Sequence, residues 1–235
     1  MPKWQPETVW KDADVYVIGG GNSLKEFDWS LLKDKHTIGC NDAYQLGAEI
    51  CRICVFGDAK WFYEHKDNLQ KYQGTIFTND TTVSGYDLDY IWHLPRQNYG
   101  LGCETLAWNN NTGALAINLA LLLGAKRVFL LGFDFKLSKD GQANWHPNNL
   151  DKPDSGIYNN KFLSGFMRLK NDLFKFPDSQ IFNITNDSNL KIFPIINADL
   201  FWNERNSKNE NYFNSFIDGY ISNDSRMRQC ASRAS

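Results

Sequence analysis

A chain of 235 residues that is 42% hydrophobic and 22% charged is long enough for one well-cored α/β domain and too short for two ordinary ones. Its formal net charge of −2 supplies no global basic field that would draw it to nucleic acid or to an anionic membrane. The opening Met1-Pro2-Lys3-Trp4-Gln5 holds no apolar signal region and no stretch reaches membrane-spanning length, so a cytoplasmic location is expected.

The run Val15-Tyr16-Val17-Ile18 ends in Gly19-Gly20-Gly21, as a buried strand entering a tight turn does. Asn22 and Ser23 follow with N-cap chemistry, and Glu26 stands three residues after Ser23 as in a capping box. With Leu24, Phe27, Leu31 and Leu32 at roughly helical spacing, the segment reads as a helix. His36 to Cys40 and Arg52 to Phe56 are the next strands, ending at Asn41-Asp42 and Gly57-Asp58, with a helix from Ala59 to Tyr72 after the second. Gly74 to Thr78 and Tyr90 to Leu94 are further short strands. Cys51 and Cys54 form a C-x-x-C, but no second Cys/His pair stands at zinc spacing, so alternate buried strand positions explain them more simply. The odd count of five cysteines also argues against a disulfide scaffold.

The most legible unit begins at Thr112-Gly113. Ala114 to Leu123 is a nearly all-apolar helix stopped by Gly124, and Arg127 to Leu131 is a buried strand ending at Gly132-Phe133-Asp134. A helix apolar all round belongs between layers, and a strand apolar on both faces suits the centre of a parallel sheet. The alternation predicts a single doubly wound, mostly parallel α/β sheet flanked by helices, Rossmann-like. Residues 136–158 are polar and carry Gly141, Pro147, Pro153 and Gly156, which is long for a passive connection and suits a lid or binding loop. A helix with Phe162, Phe166, Leu169 and Leu173 and a strand from Gln180 to Ile184 complete a catalytic domain over 1–205. Residues 206–235 read as a polar C-terminal extension with a frayed tail from Ser225 to Ser235.

Ligands of open parallel sheets bind outside the carboxyl ends of the strands, and here those ends are polar: Gly19-Gly20-Gly21-Asn22-Ser23, Asn41-Asp42, Gly57-Asp58 and Gly132-Phe133-Asp134. The glycines either admit a phosphate close to the backbone or simply serve a turn that needs positive φ. The turn is neither the G-x-G-x-x-G fingerprint nor a P-loop, whose lysine it lacks. Asp58 and Asp134 are the acids expected in the crevice, as ligands for a divalent metal, as partners of a ribose or base, or as helix caps. His146, inside Asn144-Trp145-His146-Pro147-Asn148, is the candidate general acid or base. His36, His65 and His93 read as structural.

These motifs carry a resemblance. The segment Gly-Gly-Gly-Asn-Ser-Leu-Lys-Glu-Phe-Asp-Trp-Ser-Leu-Leu at 19–32 resembles the G-N-G-P-S-L-x-x-x-D-x-x-x-L opening of bacterial family 42 sialyltransferases. It is also similar to the motility-accessory (Maf) flagellin glycosyltransferases and to archaeal 6-hydroxymethylpterin pyrophosphokinase-like proteins. Cys40-Asn41 is similar to the C-N of the sialyltransferases, and residues 111–116 and 123–135 look like their T-S-G helix and G-x-D-F strand end. The resemblance implies a glycosyltransferase A-like version of this sheet, that Gly20, Gly21, Asn22, Ser23, Asn41, Thr112 and Gly113 hold a cytidine monophosphate moiety and that a histidine, here His146, activates the acceptor. The chain departs from the pattern at Gly20, where the family has asparagine, near Asn109, where it has arginine, and at Lys136, where it has tyrosine. Asp58 replaces an asparagine and looks more like the pyrophosphokinase and Maf side.

The expectation is a glycosyltransferase that uses a nucleotide-activated sugar, CMP- or UDP-linked, with Mg²⁺ not required. Gly19, Gly132 and Asp58 join the donor contacts, and His146 and Asp134 are the catalytic pair. The acceptor hydroxyl would belong to a glycan, a protein or a hydroxylated nucleobase in modified DNA. The last fits a phage-encoded member in a host cytoplasm, since small chains of this look occur there. A homo-oligomer is compatible with the abundant aromatics. The alternatives are an ATP-using diphosphotransferase with Mg²⁺ held by Asp58 and Asp134, and a non-catalytic nucleotide-binding module.

Overall fold

The computed structural model describes residues 3–83, 88–147, 156–207 and 209–223. Its strands are β1 (Asp14–Ile18), β2 (His36–Cys40), β3 (Ile53–Phe56), β4 (Thr75–Thr78), β5 (Ile91–His93), β6 (Arg96–Gln97), β7 (Leu106–Ala107), β8 (Arg127–Leu131) and β9 (Gln180–Asn183). Seven of them form one sheet in the order β5-β4-β3-β2-β1-β8-β9, with β6 and β7 paired separately. All the pairings in the large sheet are parallel, with Val15 of β1 opposite His36 of β2 on one side and Val128 of β8 on the other. The expected doubly wound α/β sheet is therefore the fold.

The period-2 alternation of each central strand divides the core. Val15, Val17, Ile38, Val55, Val128 and Leu130 face the helix α2 (Thr112–Leu122) on one side of the sheet. Buried on both flanks, α2 needs no polar stripe, which is why its sequence is apolar all round. Tyr16, Ile18, Phe129 and Leu131 face the other way, onto α4 (Ala198–Asn206) and α5 (Glu210–Asn223) through Phe201, Trp202, Phe213 and Ile217. The helix α1 (Ala59–Leu69) packs Trp61, Phe62 and Leu69 against Phe56 and Ile76. A π-helical turn, Tyr158–Phe162, leads into α3 (Leu163–Asn171).

Several local expectations are corrected. The segment after Ser23 is not a continuous helix but two 3-10 turns, Asn22–Leu24 and Trp29–Leu32. Ser23 makes no capping box with Glu26 because Asp134 takes both its amide (2.8 Å) and its hydroxyl (2.6 Å). Asp28 then caps the second turn through Ser30 (3.0 Å), restarting the chain in a new direction. The helix expected to reach Tyr72 ends at Leu69, and the Tyr72 hydroxyl turns back to donate to the Cys51 carbonyl. Cys51 and Cys54 are buried thiols that donate to the Ile53 and Asn41 carbonyls; burial pushes Cys51 up to about 12 and Cys54 well above the usual thiol range, so neither is a redox nucleophile. Beyond Asn206, α5 buries Phe213 and Ile217 in the core. The segments 148–155 and 224–235, which include the middle of the expected lid and the expected tail, lie outside the described residues.

The chain runs outward from β1 through β2 to β5 on one side and from β8 to β9 on the other. The loops leaving the carboxyl ends of β1 and β8 therefore diverge and leave a crevice between them.

Candidate active site

A cavity of about 440 Å³ occupies that crevice. Its floor is the Gly19–Gly21 turn after β1 and the Gly132–Asp134 segment after β8. One wall is the start of α2, and the loop residues Asn144 and His146 and the turn carrying Tyr158 and Lys161 close the opposite side. Gly19, Gly20, Gly21, Asn41, Asp58, Thr112, Gly113, Gly132, Asp134 and His146, all expected site residues, line this one space. Asn22 and Ser23 do not: they sit behind the floor, where Ser23 serves Asp134.

None of the three floor glycines has a positive φ; what they need is space. A Cβ on Gly19 would lie 2.7 Å from the Gly132 carbonyl, and one on Gly21 would lie 2.4 Å from Asp134 Oδ1 and 2.5 Å from the Gly132 carbonyl. The absence of side chains lets the backbones meet: Gly19 N–H donates to Leu131 and Gly21 N–H to Gly132, each at 2.8 Å. Gly132 itself does take the left-handed conformation, at φ 68°. Asp134, 7% exposed, completes the clip through Ser23; burial raises its carboxyl above the ordinary value, and the two Ser23 bonds oppose that rise.

The loop carrying His146 is tied to the same floor. Asn144 bridges to Gly21, Trp145 N–H donates to the Gly20 carbonyl (2.9 Å), and the Trp145 indole N–H donates to the Gly19 carbonyl (3.1 Å). His146 Nε2 is 3.9 Å from where a Gly20 Cβ would stand, while Nδ1 lies 4.0 Å from Asp42 Oδ1. Asp42, 3% exposed, also accepts from the Gln45 amide (2.8 Å) and the Trp61 indole N–H (2.9 Å) and lies 3.6 Å from His65 Nε2. His65 is itself buried, stacked on Trp61 and hydrogen-bonded to the Tyr44 hydroxyl at 3.0 Å.

At the α2 end, Asn111 caps the helix by accepting from Ala114 N–H (3.1 Å), leaving Thr112 and Gly113 at the positive end of the helix dipole. Across the floor, Asn41 adopts a left-handed φ of 51° and buries its side-chain oxygen with no hydrogen-bond partner among the described residues. A buried acceptor left open costs about 1–3 kcal/mol, so this one marks a place where a ligand donor is welcome. The Tyr158 hydroxyl is shifted up by burial and by the nearby Asp134 charge.

The acids expected to bind a metal are otherwise engaged. Asp58 is exposed and caps α1 through Lys60 N–H at 2.9 Å, and both Asp134 oxygens are held by Ser23. Among the described residues no group of three or more His, Cys, Asp or Glu side chains is arranged to hold a metal ion. Also among the described residues, no helix is long and apolar enough to cross a membrane. Asp42 and Trp61 were not legible as site residues, since only their folded contacts reveal them. The one signal for Asp42 is its place beside Asn41 at a strand end.

No family model matches the chain, and no curated protein is matched either. Among solved structures, it is similar to the sialyltransferase CstII from Campylobacter jejuni in complex with cytidine-5'-monophosphate, at 17% identity over 79% of this chain and 85% of that one, with a TM-score of 0.48. Sialyltransferase CST-II in complex with a trisaccharide acceptor and CMP aligns at 16% identity over 78% and 85%, with a TM-score of 0.46. An alpha-2,3-sialyltransferase from Campylobacter jejuni in apo form aligns at 15% identity over 78% and 80%, with a TM-score of 0.45. Values this low do not carry an activity from those proteins to this chain.

Proposed function

We propose that this chain is a glycosyltransferase that moves a sugar from a nucleotide-activated donor to an acceptor hydroxyl. The observation that carries the reading is the meeting, in one cavity, of a side-chain-free floor, a helix N-terminus and a histidine beside a buried carboxylate. The first two accommodate a phosphate, and the third accepts a proton.

In this reading the donor phosphate lies over Gly19–Gly21 toward the amides of Thr112 and Gly113. The open Asn41 oxygen receives a donor group of the nucleoside. His146 Nε2 takes the proton of the acceptor hydroxyl as its oxygen bonds to the anomeric carbon. The bond from that carbon to the phosphate oxygen breaks, and its electron pair leaves with the nucleotide. Charge developing on the departing phosphate is stabilised by the α2 dipole, an interaction stronger in the transition state than in the ground state. Asp134 acts by holding the floor in shape. The glycine-turn and C-N motifs make a CMP-linked sugar the first donor to test, and a glycan the first acceptor.

The test is a transfer assay with CMP- and UDP-linked sugars in excess chelator. His146→Ala is expected to cut turnover on the order of 10²–10⁴-fold while the thermal shift produced by the nucleotide stays the same. Undiminished turnover in that variant removes His146 from the mechanism. Transfer of diphosphate from ATP, abolished by chelator, would replace the reading with the diphosphotransferase.

A further inference from the structure

Resting on that reading, we infer that Asp42 is the positioning residue of this site, holding the His146 ring with Nδ1 turned to the carboxylate and Nε2 presented beside Gly20. A carboxylate this deeply buried is costly unless the fold engages it fully, and its surroundings fix it from two elements. Gln45, on its own 3-10 turn, binds Oδ1, and Trp61 of α1 binds Oδ2. The Trp61 ring is immobilised by stacking on His65, with centroids 4.4 Å apart and planes 15° from parallel. Neutral donors thus hold the group in place without neutralising it.

Two imidazoles flank this one charge, and only one of them reaches the cavity. His65 is enclosed, with Nδ1 engaged by Tyr44, whereas His146 lines the cavity. When His146 takes a proton, the adjacent carboxylate stabilises the imidazolium, and an N–H on Nδ1 aimed at Asp42 leaves Nε2 as the free base. The 4.0 Å separation is longer than a hydrogen bond, and such contacts commonly tighten when substrate binds. The other charged groups facing the ring across the cavity are Asp58, Asp134, Lys136 and Lys161. Tyr44 and Cys54 lie near Asp42 from its own turn and from β3.

The experiment is an NMR titration of the histidine side chains in the full-length protein, with His146 assigned by His146→Gln. In the wild type the neutral His146 ring is expected to carry its proton on Nδ1. In Asp42→Asn its titration should move to lower pH by about one unit or more, and turnover should fall roughly ten- to a hundredfold with donor KM nearly unchanged. A proton on Nε2 in the wild type overturns the inference even if Asp42→Asn does not fold, and so does an unmoved titration in a folded Asp42→Asn. The expected tautomer and shift, in a wild type that transfers no sugar from any donor, would uphold the pairing and sink the glycosyltransferase reading.

Discussion

Replacing Gly20 or Gly21 by alanine separates architecture from activity within one turn. At Gly21 the new methyl would lie 2.4 Å from Asp134 Oδ1 and 2.5 Å from the Gly132 carbonyl. Neither neighbour can yield cheaply, because Gly132 O accepts the Gly21 amide and Asp134 is locked by two bonds from Ser23. Overpacking costs about 1–3 kcal/mol, and losing part of the Asp134–Ser23 clip adds about 1.5–3 kcal/mol for a bond to a charged group. Gly21→Ala should therefore cost roughly 3–5 kcal/mol, which lowers Tm by on the order of 10 °C in a domain of this size. At Gly20 the methyl meets Asn144 Oδ1 at 2.8 Å, the far end of a side chain rather than backbone, and His146 Nε2 at 3.9 Å. Gly20 has no positive φ, so alanine also gains about 0.4–1 kcal/mol by restricting the unfolded chain. Gly20→Ala should stay within about 1 kcal/mol of wild type yet lose transfer, because the methyl stands between the floor and the base. Urea or thermal unfolding of both variants, with turnover of the stable one, decides the matter. A Gly21→Ala that melts with the wild type, or a Gly20→Ala that is the less stable of the two, would refute the clip as the reason for these glycines.

Asp134 gives a prediction with a sign. Burial raises its folded pKa above the ordinary carboxylate value, so the native state holds this proton more tightly than the unfolded chain. The stabilising contribution is full below the unfolded pKa, near 3.8, and is lost as pH rises through the raised one. The stability of wild type minus that of Asp134→Asn should fall as pH rises across that window; a flat or rising difference in urea midpoints contradicts it. At the far end of the sheet, Asp14 is buried between Arg127 and Arg205. Asp14→Ala should cost about 3–5 kcal/mol by taking from Arg127 its carboxylate partner and leaving Arg205 only the exposed Glu210, without changing nucleotide affinity per folded molecule. Asn111→Ala removes the α2 cap and should cost about 1 kcal/mol while weakening nucleotide binding; intact affinity would detach α2 from the donor site.

The sheet was legible because its central strands are covered on both faces and so read as unbroken apolar runs, β1 and β8 most plainly. The same holds for α2, whose caps and apolar surface are local facts. Strands β6 and β7, two residues each, leave no pattern to read. The helical look of residues 24–32 fails for a non-local reason, since Ser23 is bonded to Asp134 in the loop after β8. The polar composition after Asn206 masks the stripe Phe213, Phe216, Ile217 and Tyr220 by which α5 joins the core. At the site, the glycine turn, Asn41, Thr112 and His146 announce themselves as polar punctuation at strand and helix ends. Asp42 and Trp61 do not, because burial and a cross-element hydrogen bond are properties of the folded chain.

The stitching of Asn144 and Trp145 to the Gly19–Gly21 turn bears on how such a site can be inherited or re-engineered. The loop that carries His146 ends where the turn begins to support it, so neither half is a module by itself. A transplant that moved the loop alone would lose the rail on which it runs. One that moved turn, loop and the end of β8 together would, on the proposed reading, carry both the seat for one reactant and the group that activates the other. On the same reading, the junction of this loop with the glycines is where substitution is least tolerated.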